Sequence, residues 1–583
     1  MPLNLKMLSA EDLNRFDRDF YSSGLVVSCI GEGYIGGKAS GLAFIEKTIS
    51  GNYKSNPFSG FEISIPRIVV LATGLFDRFI ERNNLFKKVE SGLSDKETAI
   101  EFQRAELPAE FVGDFRTIVN SINTPLAIRS SSLLEDAMHE PFAGVYATKM
   151  IPNNQPDADT RFRKLVEAIK FVYASTYFHN ANEYRKSINK GNADEKMAVI
   201  IQEVVGHRFG ELYYPNISGV ARSYNFYSMG KARPEDGVVD LAFGLGKSIV
   251  DGGLVWSYSP AYPTVAPPTG SVRELLKKSQ TKFWAVNMGK PPEHDPLNEA
   301  EYMVYNDISL AEYDRTLDLV ASTYQAENDR LVTGTGSKGP RLINFAPILK
   351  AELLPLNMLI KQLLKLSEEA VGAEVEIEFA ISINKADNTA FFGFLQIRPM
   401  VVSKDKIDIT HEEMSNPNNL VASNQVMGNG IIDNIKDIIY VDPDAFDPKN
   451  SAKMASEISQ LNMKMVNEKK KYLLIGFGRW GSSDPWLGIP VEYSQISSAG
   501  TIIEATLPNM NVELSQGSHF FHNLSSFQIG YFLVHFNGEY KIDWNWLKKQ
   551  NILESTEFVH HIELKKNLEI KIDGRNGRGV ILK

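Results

Sequence analysis

At 583 residues, with hydrophobic side chains at 43% and charged ones at 23%, the chain has an ordinary globular composition and length enough for about three to five folding units. Its 62 Lys and Arg against 71 Asp and Glu leave a formal net charge of -9 with no long basic run, which argues against nucleic acid as the main partner. The single cysteine, Cys29, excludes an internal disulfide, no Cys/His spacing suits a structural zinc, and no run approaches the ~18 apolar residues of a membrane helix.

The amino terminus has no apolar stretch of signal-peptide type, so a cytoplasmic location without membrane insertion is expected. Residues 25–30 are an apolar run expected to be a strand, the glycines from Gly31 to Gly41 a loop, and 43–49 part of a helix. Glycines admit close backbone approach and a helix start offers free N–H groups, so this order suits phosphate binding. A second extended segment, 61–71, precedes charge-rich helical sequence to about residue 110, and a short strand, 126–129, ends in Ser130, Ser131 and Ser132. Residues 160–190 are expected to be helical, 197–205 a buried strand, and the stretch to 262 rich in strands; 264–300 are expected to hold loops or short helices. The spacing in 355–371 predicts an amphipathic helix leading into a hairpin, 374–383 with 390–398. The polar segment 403–424 is expected to be a linker, and 425–583 a separate α/β or α+β unit.

The glycine loop admits three readings. Gly31, Gly33 and Gly36 satisfy a bare dinucleotide pattern, but the next strand offers only Glu62 as a ribose partner, well beyond the usual ~20 residues. A P-loop fails because Glu32 and Ala39 stand where it needs glycine and a hydroxyl. The third reading is carried by Gly36-Gly37-Lys38-Ala39-Ser40-Gly41-Leu42 together with a series of later motifs in a fixed order. Ala127-Ile128-Arg129-Ser130-Ser131 with Glu135 and Asp136 comes next, then Pro141-Phe142-Ala143-Gly144 and Ile200-Ile201-Gln202-Glu203-Val204-Val205. Ser218-Gly219-Val220, Gly244-Leu245-Gly246 with Gly252, Glu376-Ile377-Glu378-Phe379-Ala380 and Gln396-Ile397-Arg398-Pro399 complete the series.

Over residues 30–400 this series resembles the ATP-binding domain of the pyruvate phosphate dikinase and phosphoenolpyruvate synthase family. The resemblance implies a mixed α/β (α+β) fold: a two-lobed ATP-grasp module, with lobes at 1–196 and 197–402, then the linker 403–424 and a smaller α/β or α+β domain, 425–583, of unassigned role. It implies ATP and magnesium as cofactors. Lys38, Arg129 and Arg398 would offset the triphosphate charge, the arginines gripping phosphate bidentately. Gln202, Glu203 and Val205 would hold adenine through the backbone of the hinge strand. Strand residues two apart share a face, so Glu376 and Glu378 point one way and Gln396 and Arg398 join them from across the hairpin. Glu378 and Gln396 would bind magnesium, with Glu376 beside them on the nucleotide face. Two positions depart from the family: Lys247 stands in place of a glutamate and Glu376 in place of an aspartate.

Residues 403–583 are fewer than the 200 or more of a (β/α)8 barrel, so the family's pyruvate-binding barrel is not expected in this chain. In the last unit, His519 follows Gly517 and Ser518 and is similar to the family's phospho-accepting histidine; it and His522 also read as structural or surface histidines. Arg479 either binds a phosphate or packs on Trp480. The expected function is an ATP- and magnesium-dependent phosphotransferase with Arg129, Arg398 and His519 as catalytic groups, acting on an unknown small-molecule or protein acceptor. A carboxylate-amine ligase and a non-catalytic ATP sensor are the alternatives.

Overall fold

Four consecutive buried residues make Val27–Ile30 a strand enclosed on both faces, and helix Gly37–Asn52 comes after it. The turn between them requires glycine at Gly36, whose φ is 78° and where a Cβ would lie 1.7 Å from the Ser131 carbonyl oxygen. The structure is a computed structural model that describes residues 7–52, 58, 60–133, 135, 144–187, 191, 195–227, 231–266, 271–384, 389–402, 407–482, 486–508, 510, 524 and 527–583.

Among these residues the first sheet runs Val27–Ile30, Ile68–Leu71, Met197–Glu203, Leu126–Ser132, Thr148–Ile151. Its first pair is parallel and the others antiparallel. Phe76, Phe79, Phe102, Phe115 and Tyr173, from the helices of residues 73–121 and 158–175, belong to one buried cluster with it. The sequence pattern puts Met197–Glu203 at the opening of the second lobe. It sits instead in the first sheet, paired on both edges, which is why its residues are almost wholly buried.

The second sheet runs Trp256–Tyr258, Val238–Ala242, Ile217–Arg222, Val375–Asn384, Thr389–Pro399, Phe61–Ser64. The last pair is parallel, so a strand from early in the chain forms the edge of this sheet. Helix Leu356–Val371 buries Leu356, Leu359, Ile360, Leu363 and Leu364 at helical spacing and ends at Gly372, whose N–H reaches the Glu368 carbonyl at 2.7 Å. Residues 264–300 hold a helix, Val272–Lys277, and also a strand, Lys282–Asn287, that the sequence pattern does not announce. Its buried residues, Phe283, Ala285 and Val286, break strict alternation.

Among the described residues the carboxy-terminal unit has a two-stranded sheet, Arg479–Trp480 with Gly488–Ile489, and is built on a nine-stranded one. Asn429–Val441, Tyr472–Phe477, Ala499–Ala505 and Gly530–Val534 run parallel in its centre, with helix Ser451–Asn467 in the first crossover. Antiparallel strands Val559–Asp573 and Arg578–Leu582 extend it. The expected linker 403–424 contains helix His411–Met414 and strand Asn419–Ser423, and that strand pairs with Arg578–Leu582. A five-residue edge strand among polar neighbours lacks the periodicity that would mark it in sequence.

Candidate nucleotide site

A cavity of about 410 Å³ lies between the first sheet and the hairpin of the second, and Lys38, Arg129, Gln202, Glu203, Val205, Glu378 and Gln396 all line it. Lys38 stands in the first turn of helix Gly37–Asn52, is 6% exposed, and donates from Nζ to Glu135 Oε1 at 2.8 Å and to Ser130 Oγ at 3.3 Å. The serine run anchors that turn. Ser131 Oγ accepts from the Ala39 N–H at 3.0 Å and donates to the Ile35 carbonyl at 2.9 Å, while Glu135 accepts from the Ser130 hydroxyl and the Ser132 N–H. Glu135 is not among the site residues that the sequence singles out, although it belongs to the same motif as Arg129.

Arg129 ties the two sheets together. Its Nη1 donates to Gln202 Oε1 at 3.1 Å and to the Leu395 carbonyl at 2.8 Å, and its Nη2 donates to Gln396 Oε1 at 2.8 Å. The hairpin register puts Glu378 opposite Gln396 and Glu376 opposite Arg398, with a bulge after Glu378. Glu378 Oε1 is buried and accepts no hydrogen bond, the nearest cation being Arg398 Nη2 at 3.6 Å; Oε2 lies 3.7 Å from Arg129 Nη2. A buried carboxylate oxygen with no donor keeps its lone pairs for a ligand, and with the Gln396 amide oxygen it offers the hard oxygen donors that fit magnesium. Among the described residues no three acidic, His or Cys side chains gather as a metal cage.

Glu376 and Arg398, expected on the nucleotide face, lie on the same strand face as Glu378 and Gln396 but are not among the residues that line the cavity. Arg398 is 1% exposed and Glu376 3%, and they pair with each other, Nε to Oε1 at 2.6 Å. Arg222 joins them, donating Nε to Glu376 Oε2 at 2.5 Å and Nη1 to Asp240 Oδ2 at 2.8 Å. Four charges thus form a buried cluster next to Glu378 on the same sheet face. The register from Glu376 to Glu378 is regular and the bulge comes only after Glu378, so the two carboxylates share a face and Arg398 reaches both.

The hinge strand is partly committed already. The N–H groups of Glu203 and Val204 are donated to the Arg67 and Pro125 carbonyls at 3.1 and 3.0 Å, and the Val204 carbonyl accepts from the Tyr213 hydroxyl at 3.1 Å. Burial raises the Glu203 carboxyl above its ordinary range, with Arg67 opposing. Gln202 Nε2 is buried and has no hydrogen-bond partner. Lys247, the departure from the family, lines the cavity and pairs with Asp251 at 3.1 Å and Glu299 at 3.5 Å. Asp136, Phe142, His519 and His522 lie outside the described residues.

Tyr146, also on the cavity wall, donates its hydroxyl to Glu195 Oε2 at 2.9 Å. Burial pushes the Glu195 carboxyl up to about 7, against the opposing effects of Tyr146 and Arg185. An unfolded glutamate ionises near 4.5, so rising pH takes the proton from the unfolded chain first. Native stability therefore falls between about 4.5 and 7 and stays lowered above. Glu195→Gln is expected to stabilise the protein more at pH 8 than at pH 5, by roughly 3 kcal/mol at most. Melting curves at the two pH values check this, and equal shifts would count against it.

Two buried sheets joined through an arginine fork, with a glycine-turned helix start and a carboxylate–amide pair facing one cavity, define a two-lobed nucleotide-binding module. The chain belongs to the family described as pyruvate phosphate dikinase, AMP/ATP-binding domain, whose sequence profile matches residues 32–418. It is also 24% identical over 195 residues to a Bacillus subtilis (strain 168) protein described as the uncharacterized phosphotransferase YvkC. That match spans 33% of this chain and only 21% of the relative.

Proposed function

We propose that this chain is an ATP- and magnesium-dependent phosphotransferase of the pyruvate phosphate dikinase and phosphoenolpyruvate synthase type. It would work in the cytoplasm on a small-molecule or protein acceptor. The observation that carries this reading is the shared cavity of Lys38, Arg129, Gln202, Glu378 and Gln396. Adenine would take the Glu203 carbonyl and the Val205 N–H, with the unpartnered Gln202 amide nearby as a further donor. Lys38 and Arg129, held in place by Glu135, Gln202 and Gln396, would turn toward the phosphates and neutralise their charge. Magnesium, bound by Glu378 and Gln396, would supply charge stabilisation on the phosphate oxygens. Arg398 and Glu376 would act from beside Glu378 by holding the hairpin in register, and His519 would carry the phosphoryl group in the family's manner.

Incubation with magnesium and ATP, with identification of the nucleotide released, tests the reading. AMP marks dikinase chemistry, and an acid-labile label on the protein that Glu378→Ala and His519→Ala each abolish supports the whole scheme. ADP released only when both a carboxylic acid and an amine are present would overturn it in favour of a ligase. Tight ATP binding with no turnover under any condition would make it a sensor.

A further inference from the structure

The nucleotide cavity has a wall that does not come from the ATP-binding module: Arg479, Trp480, Gly481 and Ser482 also line it. These residues come after strand Tyr472–Phe477 at its carboxyl end, in the parallel part of the last sheet, the edge at which such sheets carry their ligands. The turn is rigidly built. Trp480 is buried and donates Nε1 to the Ile503 carbonyl at 3.1 Å, and Gly478, with φ of 71°, leaves room for the Leu487 carbonyl, which a Cβ would meet at 2.6 Å. Buried Arg479 crosses to the other unit and donates Nη1 to the Gly252 carbonyl. Gly252 lines the same cavity, just after the helix Lys247–Val250.

The crossing is anchored at a second place. Tyr184, on helix His179–Ser187, packs against Tyr493 and Phe527 with ring centroids 5.6 and 6.4 Å away, and those two rings stack at 4.8 Å. Ser494 Oγ donates to Asn180 Oδ1 at 3.0 Å beside them. One continuous hydrophobic cluster therefore runs from the first lobe into the carboxy-terminal sheet. Buried aromatic anchors of this kind hold an interface in a single geometry.

We propose that the carboxy-terminal unit is a fixed wall of the nucleotide site and that Arg479 binds the phosphoryl group while it is transferred. The proposal rests on the ATP reading above. A guanidinium supplied from outside the nucleotide module, with its plane set by the Gly252 carbonyl, places charge where phosphoryl oxygens gain it in the transition state, in a site sheltered from water. Its contribution belongs to the transferring group rather than to the nucleotide as a whole.

Calorimetry on the full chain with magnesium and the nucleotide released in the ATP incubation, AMP or ADP, alone and with aluminium fluoride as a mimic of the transferring phosphoryl group, tests this without an acceptor. The unmodified protein is expected to bind that nucleotide at least about 10-fold more tightly when fluoride is present. Arg479→Ala is expected to keep its nucleotide affinity within about three-fold and lose that increase, and Arg479→Lys, which keeps the charge but not the fork, to retain only part of it. Should the alanine variant fail to fold, the lysine variant carries the comparison. A full fluoride increment in either variant, an equal loss of nucleotide affinity and increment, or no increment in the unmodified protein overturns the proposal while leaving ATP binding intact. Failure of the unmodified protein to bind AMP, ADP or ATP at all would instead remove the ATP reading itself.

Discussion

Glu378→Gln is expected to abolish the dependence of nucleotide binding on magnesium while leaving the fold unchanged. The Glu378 carboxylate lies 3.7 Å from Arg129 and 3.6 Å from Arg398, and its Oε1 is buried without a hydrogen-bond donor. Both arginines keep other partners when it is neutralised, Arg129 in Gln202 and Gln396 and Arg398 in Glu376, so no buried cation is stranded. The sign of the effect without metal is informative. A carboxylate facing a triphosphate repels it, so the amide variant should bind ATP as well as, or better than, the unmodified protein in the presence of chelator. With magnesium it should bind at least about 100-fold more weakly than the unmodified protein, the loss expected for an ion worth a few kcal/mol. Titrations with and without chelator read both arms. An unchanged magnesium enhancement would take Glu378 out of the metal site.

The second large effect concerns stability. Glu376 is the shared partner of Arg222 and Arg398 in a cluster that also holds Asp240. Removing it by Glu376→Ala takes from Arg398, 1% exposed, its carboxylate partner at 2.6 Å, while the Glu378 contact at 3.6 Å remains. Breaking a buried charge pair from one side costs about 3–5 kcal/mol, because the remaining charge stays buried without compensation. Glu376→Asp should fall in between: the charge survives, but one methylene less prevents the carboxylate from reaching both arginines, which approach on different strands, Ile217–Arg222 and Thr389–Pro399. Denaturant unfolding followed by fluorescence would order the variants, with alanine unfolding earliest. Equal midpoints for all three would show that the cluster relaxes to solvent at no cost.

Much of the first 400 residues is legible because its information is local. The glycine-to-serine contact at Gly36 and Ser131 arises from motifs that need each other, and the hairpin pairs Glu378 with Gln396 as the turn position between its strands implies. The cavity wall is less so. Counting in twos puts Glu376 and Glu378 on one face, as the regular register between them requires. It does not say where along that face the cavity ends, and Glu376 is taken up by Arg222 and Arg398 instead of lining it. Sheet membership is a long-range property. Nothing within Met197–Glu203 says that its neighbours are Ile68–Leu71 and Leu126–Ser132, so a lobe boundary drawn at a change of pattern splits the first sheet. The Arg479 wall is harder still. Its sequence marks a dense turn of Gly, Arg and Trp, and its proximity to Gly252 depends on how two units pack rather than on either unit's own pattern.

The edge position of Phe61–Ser64 in the second sheet has a consequence for how the chain reaches its native state. That strand pairs in parallel with a partner about 330 residues later, while the strands flanking it in sequence build the other sheet. Phe61–Ser64 cannot take its place before the hairpin has been synthesised, and the hairpin, until Phe61–Ser64 docks, presents an open row of backbone donors and acceptors along Thr389–Pro399. Closing so long a loop is slow, and the waiting edge is the part of the molecule that invites pairing with another copy. Refolding yield should therefore fall steeply with protein concentration, and a chain cut between the two sheets should regain neither half by itself.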